Sequence, residues 1–292
     1  MSGELYALLA ALAYGFAGVA ITKGRATARG DNGLFLSVIA TALLSGLIWV
    51  LWGTVSVRAM SADSLRPMAL FALAGLMATV FGRLFMFKAT ERTGPVIAGL
   101  LRRLTPVFGL LLGYLFLSEW PGEVTLAGAA IVTGAVLVYL RPASLNEASF
   151  SRIGLAFGVG SAAAYAFAYT LRSAALESLP DAAFGTFVGA LVGGFCILAA
   201  ALLRQGQAPL RTLLVDRGRW HLLTAAALSS GQFLQFLALK TASVVTVATL
   251  GTLEVFFAAM ILRWMTGARP ANLWRLVTAG SAALVGTAIM LA

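Results

Sequence analysis

Ionisable side chains are scarce in this chain. Charged residues make up 11% of its 292 positions, and only 11 residues are acidic. There is one histidine and one cysteine. A soluble domain needs far more charge than this to cover its surface, so a water-soluble globule is excluded. Cys196 lies in an apolar run and His221 has no ligand-type neighbour in sequence. That excludes an internal disulfide and any metal site of familiar spacing. A membrane enzyme would need clustered acid–base or metal-binding residues, and this composition is too thin to supply them. The phosphate-cradling pattern Gly-x-x-x-x-Gly-Lys-Ser/Thr is absent too. Any transport must then run on an ion or solute gradient, with no nucleotide or other cofactor.

What the chain has in excess is apolar. Hydrophobic residues reach 60% and the mean hydropathy is +0.91. A helix needs about 20 mostly apolar residues to cross the hydrocarbon core. Runs of that kind fall near 4–22, 33–53, 68–90, 94–118, 122–140, 153–172, 181–203, 220–240, 243–265 and 271–291. Backbone groups in lipid must bond within their own segment, which excludes an open sheet. A barrel would show short alternating segments instead of these long runs. Glu4 stands where a signal peptide would be basic, so 4–22 reads as a first spanning helix.

The chain is also written twice. Ala13-Tyr14-Gly15-Phe16-Ala17-Gly18 returns 151 positions later as Ala164-Tyr165-Ala166-Phe167-Ala168-Tyr169. Gly82-Arg83-Leu84-Phe85 returns at an offset of 149 as Gly231-Gln232-Phe233-Leu234, and Pro121 meets Pro270. The expected fold is an all-α membrane protein whose ten transmembrane helices form two inverted five-helix repeats around a central cavity. The first repeat covers 1–141, a polar linker covers 142–152 and the second repeat covers 153–292. A purely structural scaffold would have no reason to keep polar residues at matching depths in both halves.

The net charge is +10. Of the 21 Lys and Arg residues, 14 fall in the odd connections, counting Lys88 and Arg92, and 4 in the even ones, counting Arg172. Membrane topology explains this basicity, and nucleic acid is not an expected partner. The positive-inside rule places the odd connections in the cytoplasm.

The cations set deepest in apolar runs are Arg83, Arg102 and Arg103. A charge at the bilayer centre costs about 2.5–3.5 kcal/mol on insertion scales, so such residues face a bundle interior or reach out to the interface. Arg102 lies about 12 Å into its span by helical rise, within reach of snorkelling. Arg102 and Arg103 are about 100° apart on the helix, so both cannot face one cavity equally. Pro106 lacks an N–H, which leaves the carbonyl of Arg102 without its helical partner. Such a carbonyl suits a water-filled cavity, or marks a packing kink. Glu254 lies about ten residues into the ninth span. It is a candidate carrier of a coupling proton, or one half of a structural ion pair with an arginine. Gln232 takes the repeat position of Arg83, with Ser229 and Gln235 one turn to either side. This polar stripe can contact a solute or glue helices together. Tyr14 and Tyr165 are repeat-related, and Tyr169 follows Tyr165 by one turn. Flanked by small residues, they can line an aromatic cavity or simply pack.

Several of these residues follow one family pattern. Tyr14-Gly15 and Tyr165-Ala166 are its aromatic–small pairs in spans one and six. Ala89 to Thr93 is its Ala-x-x-x-Thr, and Pro106-Val107-Phe108 with Glu119 is its Pro-x-Phe and terminal Glu. Over essentially its whole length the chain resembles the drug/metabolite transporter superfamily, EamA type. The duplicated architecture carries more of that resemblance than any single motif. The resemblance implies an integral protein of the plasma membrane (a bacterial inner membrane) that moves a small-molecule metabolite as a secondary transporter. Amino-acid export or facilitation, aromatic amino acids included, is the leading expectation. Exchange of anionic or phosphorylated metabolites is the alternative suggested by Arg83, Arg102 and Arg103. A structural membrane protein without transport is the reading from another class. Members more often carry tryptophan where Tyr14 and Tyr165 stand, and Glu-Pro where Glu254-Val255 stands. They typically keep both termini in the cytoplasm, opposite to the charge count here. The oligomeric state is left open.

Overall fold

A computed structural model describes residues 3–56, 64–117, 122–139, 151–203, 208–242, 247, 250–251, 253–267 and 273–291. Among the described residues every regular element is helical. The first half holds α1 (Gly3–Arg25), α2 (Leu34–Trp52), α3 (Leu65–Gly75), α4 (Leu84–Leu101), α5 (Thr105–Leu117) and α6 (Glu123–Tyr139). The second half holds α7 (Arg152–Ser178), α8 (Ala182–Leu203), the short α9 (Ala208–Leu214), α10 (Arg219–Thr241), α11 (Glu254–Thr266) and α12 (Leu273–Leu291). Six helical runs among the described residues are long and apolar enough to cross a membrane: α1, α2, the run Leu65–Leu112, α7, α8 and α10. Most of the expected linker (142–150), with Glu119, Pro121 and Pro270, lies outside the described residues.

The third and fourth expected spans meet without a loop. A π-helical stretch, Leu76–Arg83, joins α3 to α4, and the helix is broken inside α4 at Gly94, with φ 80° and ψ 165°. That backbone conformation is open to glycine alone at no steric cost. Pro95 follows and has no N–H for a helical bond, so the break falls at this pair. A 3-10 turn, Arg102–Leu104, then separates α4 from α5.

Packing follows a pattern of exchange. α1 lies against α10 and α11, while α7 lies against α4 and α5. α2 packs on α8, and α6 on α12. Every such pairing keeps its form when first-half helices are swapped for second-half ones. The α1 interface is built from Ala7, Ala10, Ala11, Ala17 and Ala20, all buried. Small residues let helices approach closely where lipid offers no hydrophobic drive. The outside is apolar: Val50 is 75% exposed and Leu203 84%. Trp52, Trp264 and Trp274 stand exposed near helix ends, where indoles favour the membrane interface.

Two carboxylates tie connections together. Asp216 accepts from the backbone N–H groups of Arg29 (2.7 Å), Gly30 (2.9 Å) and Asn32 (2.7 Å). Asp181 accepts from Thr54 N–H at 2.7 Å and Val55 N–H at 3.1 Å, and caps α8 through Phe184 N–H at 2.9 Å. A carboxylate that gathers backbone donors fixes a loop as a side-chain pair cannot, since the donors have no rotamers to lose.

Three expectations need correction. Arg172 is not in a connection. It lies inside α7, 1% exposed, because nothing between Ser173 and Ser178 stops that helix. Lys88 and Arg92 are likewise helical, in α4 just before the Gly94 turn. Glu254 is the first residue of α11, with Leu253 as N-cap, and since Val247, Leu250 and Gly251 before it are helical too, the ninth span is interrupted at Leu253 rather than continuous. A carboxylate there faces the positive end of the helix dipole.

Candidate functional site

A narrow cavity lies between the two halves. Its space for water-sized molecules is about 30 Å³, and its lining includes Tyr14, Arg102, Arg103, Tyr169, Gln235 and Glu254. Ala7, Ala10 and Ala11 of α1 and Gly99 of α4 supply the flat part of the wall. That volume admits water and no metabolite.

Arg102 dominates the cavity. Its Nη1 donates to Glu254 Oε2 at 2.6 Å, with side-chain exposures of 9% and 11%. A charge-assisted bond of this length, at this burial, is strong once made. The guanidinium carbon lies 4.9 Å from the ring centre of Tyr14 and 4.7 Å from that of Tyr165. One cation therefore sits between two aromatic faces, each attracting it through its π-quadrupole. The two tyrosines in turn rest on bare backbone. A Cβ on Gly82 would come within 3.1 Å of the Tyr165 ring, and one on Gly231 within 3.2 Å of the Tyr14 ring. Gly82 and Gly231 are the same position in the two halves of the sequence.

A second layer holds the other end of the cavity. Gln235 donates through Nε2 to Tyr169 Oη at 2.6 Å. Its Oε1 accepts from Arg172 Nη1 at 3.3 Å and from Tyr14 Oη at 3.4 Å. The Arg172 guanidinium lies 4.5 Å from the Phe236 ring centre.

Arg83 belongs to a different cluster. It is 1% exposed and does not line the cavity. Its Nη1 donates to Ser37 Oγ at 3.0 Å and Thr41 Oγ1 at 3.2 Å, and its Nη2 donates to Gln232 Oε1. Ser229 joins from α10 through Thr41, 3.3 Å away. These partners are neutral, as is Tyr165, whose side chain also hydrogen-bonds to Arg83. Arg83 and Gln232, which occupy the same repeat position, thus meet each other across the interface.

The structure therefore divides the residues singled out in the sequence. Tyr14, Arg102, Arg103, Tyr169, Gln235 and Glu254 come together at the cavity, and Tyr165 stands behind Arg102. Arg83, Ser229 and Gln232 come together in an adjoining cluster, which Tyr165 links to Arg102. Pro106 is outside the lining, and the Arg102 carbonyl accepts from Thr105 Oγ1 at 2.6 Å. Thr105 thus closes the gap that Pro106 opens, without water. Sequence reasoning missed Arg172, Ser37 and Thr41. Ser37, Thr41 and Ser45 recur every four residues, a hydroxyl stripe that α2 displays openly. Arg172 had a signal as well, in the absence of a helix breaker before Pro180.

Comparison with known proteins gives a family match over the first 141 residues and a fold. Residues 1–141 match the EamA-like transporter family. No curated protein matches the chain. A solved structure described as "Crystal structure of protein" superposes with a TM-score of 0.65 at 15% identity. The alignment covers 98% of this chain and 94% of that one. At that identity the likeness concerns the fold alone.

Proposed function

We propose that this EamA-like membrane transporter of small metabolites carries a zwitterionic solute of the amino-acid class through the space between its two halves. The Arg102–Glu254 pair carries this reading. A guanidinium and a carboxylate 2.6 Å apart in a narrow cavity are the complement of an ammonium and a carboxylate on one small molecule. The solute's carboxylate takes Arg102, its ammonium takes Glu254, and the ion pair exchanges one partner for another without leaving a bare charge. Tyr14, Tyr165 and Tyr169 provide aromatic faces for an apolar or aromatic side chain. The cavity is too small for such a solute as it stands, so loading needs the halves to part. Residues 1–141 and 153–292 act as inverted repeats in this reading, which the exchange pattern of helix packing supports. Glu254 is the charge-sensitive element of the cycle. Protonation would release Arg102 and bias one conformation over the other. Export or facilitation across a bacterial inner membrane, with the basic odd connections in the cytoplasm, completes the proposal.

Flux into proteoliposomes loaded with labelled amino acids, dicarboxylates and sugar phosphates tests it. Amino-acid flux that loses its pH dependence in Glu254→Gln is the expected result. Flux confined to di-anions would sink it. A second reading, exchange of anionic or phosphorylated metabolites, draws on Arg83 and Arg172. Both guanidiniums are buried and hydrogen-bonded to neutral groups. Phosphate-ester counterflow with no amino-acid flux would establish that reading in place of the first.

A further inference from the structure

Outside the cavity, two cations share one phenyl ring on the outer surface. Lys88 Nζ and Arg92 Cζ each lie 5.7 Å from the ring centre of Phe157. They are one helical turn apart on α4, where like charges repel. Neither takes part in an ion pair among the described residues. The neighbouring carboxylate, Glu91, accepts from Asn32 Nδ2 at 2.7 Å. Arg92 is exposed and Lys88 half-buried. From Phe157 the aromatic surface continues along α4. Phe85 lies 5.4 Å from Phe157, and Phe81, 40% exposed, lies 6.1 Å from Phe85.

Depth decides what fits. The third span is expected to end near residue 90 and its helix breaks at Gly94, which sets Lys88 and Arg92 within two turns of that end. Phe81 is roughly 16 Å further along the helix, about half of a ~30 Å hydrocarbon core. Charge at the boundary with an apolar strip beneath it, one leaflet long, matches a phospholipid whose headgroup is anionic. The fold itself does not demand the cations. The same positions 149 residues on are Leu237 and Thr241. There the matching strip, through Ser230 and Leu234, is an open apolar groove.

We propose that Lys88, Arg92 and the Phe157–Phe85–Phe81 strip form a binding site for one anionic phospholipid, its phosphate between the two cations and an acyl chain along the phenyl rings. This site is independent of the cargo carried through the centre. Two cations at about 1 kcal/mol each give about a 30-fold preference for anionic over zwitterionic lipid. Native mass spectrometry of the full chain, released from vesicles of equal phosphatidylglycerol and phosphatidylcholine, measures that preference directly. The expected result is one retained phosphatidylglycerol, lost in K88Q/R92Q and kept in the charge-conserving K88R/R92K. Phe157→Leu should weaken it less than the loss of both charges. R263Q/R275Q, which changes the same net charge elsewhere, should leave retention unchanged. Equal retention of both lipids by the wild type would overturn the proposal. So would equal loss in R263Q/R275Q, or displacement of the lipid by inorganic phosphate, which would point to a free-anion site. If K88Q/R92Q fails to fold, the single variants are compared, and retention unaltered in both overturns it as well.

Discussion

Among the guanidiniums that cross the interface between the halves, Arg102 and Arg83 are held in opposite ways. Arg102 meets a carboxylate, two aromatic faces and a cavity. Arg83 meets hydroxyls and an amide and is not among the residues lining that cavity. The Arg83 acceptors are already committed to their own helices. Ser37 Oγ donates to Leu34 O at 2.6 Å, and Thr41 Oγ1 to Ser37 O at 2.7 Å. Two of the Arg83 acceptors thus keep other bonds without it and only Gln232 Oε1 relies on it, while Arg102 and Glu254 depend on each other. A charge that can exchange partners suits transport, and one embedded among neutral dipoles suits a fixed joint.

The largest effect should come from breaking the dependent pair. Arg102→Ala leaves the Glu254 carboxylate buried without its cation. Removing one partner of a buried pair costs about 3–5 kcal/mol. Folded yield in detergent should fall sharply, and flux with it. The double change Arg102→Met with Glu254→Gln removes both charges and should recover most of the yield while flux stays absent. Recovery of flux together with yield would mean that the pair is only structural, and the contrast between the two arginines would collapse.

Arg83→Met should behave differently. Replacing a buried charge by an apolar side chain of similar length is often close to neutral, because the desolvation cost disappears along with the bonds. Gln232 Oε1 loses its donor, so a net change of about 1 kcal/mol is expected. Flux per folded molecule should stay within about twofold of wild type. Loss of flux at unchanged melting temperature would move Arg83 into the solute path and favour the anion-exchange reading.

This contrast was half legible beforehand. Hydropathy gave the spans, since lipid forces long apolar runs whatever their neighbours are. The offset near 150 paired Tyr14 with Tyr165, and Arg83 with Gln232. Periodicity could not say which polar residues share a compartment. Arg83 and Tyr14 looked like one lining because both are matched in the repeat. Arg83 stands at the end of the π-helical stretch Leu76–Arg83 and bonds Ser37 and Thr41 of α2, and a pattern of apolar residues encodes neither. The position of Glu254 was hidden for a similar reason. Its span reads as one continuous apolar run, yet a turn at Leu253 interrupts it just before Glu254.

The smallest expected effect serves as the control for the pH argument. Asp31, in the connection between α1 and α2, is lifted to about 6 from its usual range, chiefly by burial. Hydrogen bonds from Phe35 and Gly33 N–H oppose the rise, and the nearby Asp216 adds to it. In the folded chain Asp31 keeps its proton up to about pH 6, while in the unfolded chain it releases it near 3.8. Between those values the native state binds more protons, so stability falls as pH rises through that window. Below it the contribution is fully present, and above about pH 6 it is gone. Asp31→Asn should flatten this slope in melting temperature measured from pH 4 to 7. The flux profile should keep its shape, because the connection lies outside the path between Arg102 and Glu254. A flux profile that flattens along with the melting curve would place the proton-sensitive step in the α1–α2 connection. Glu254 would then rank with Arg83, as a fixed charge.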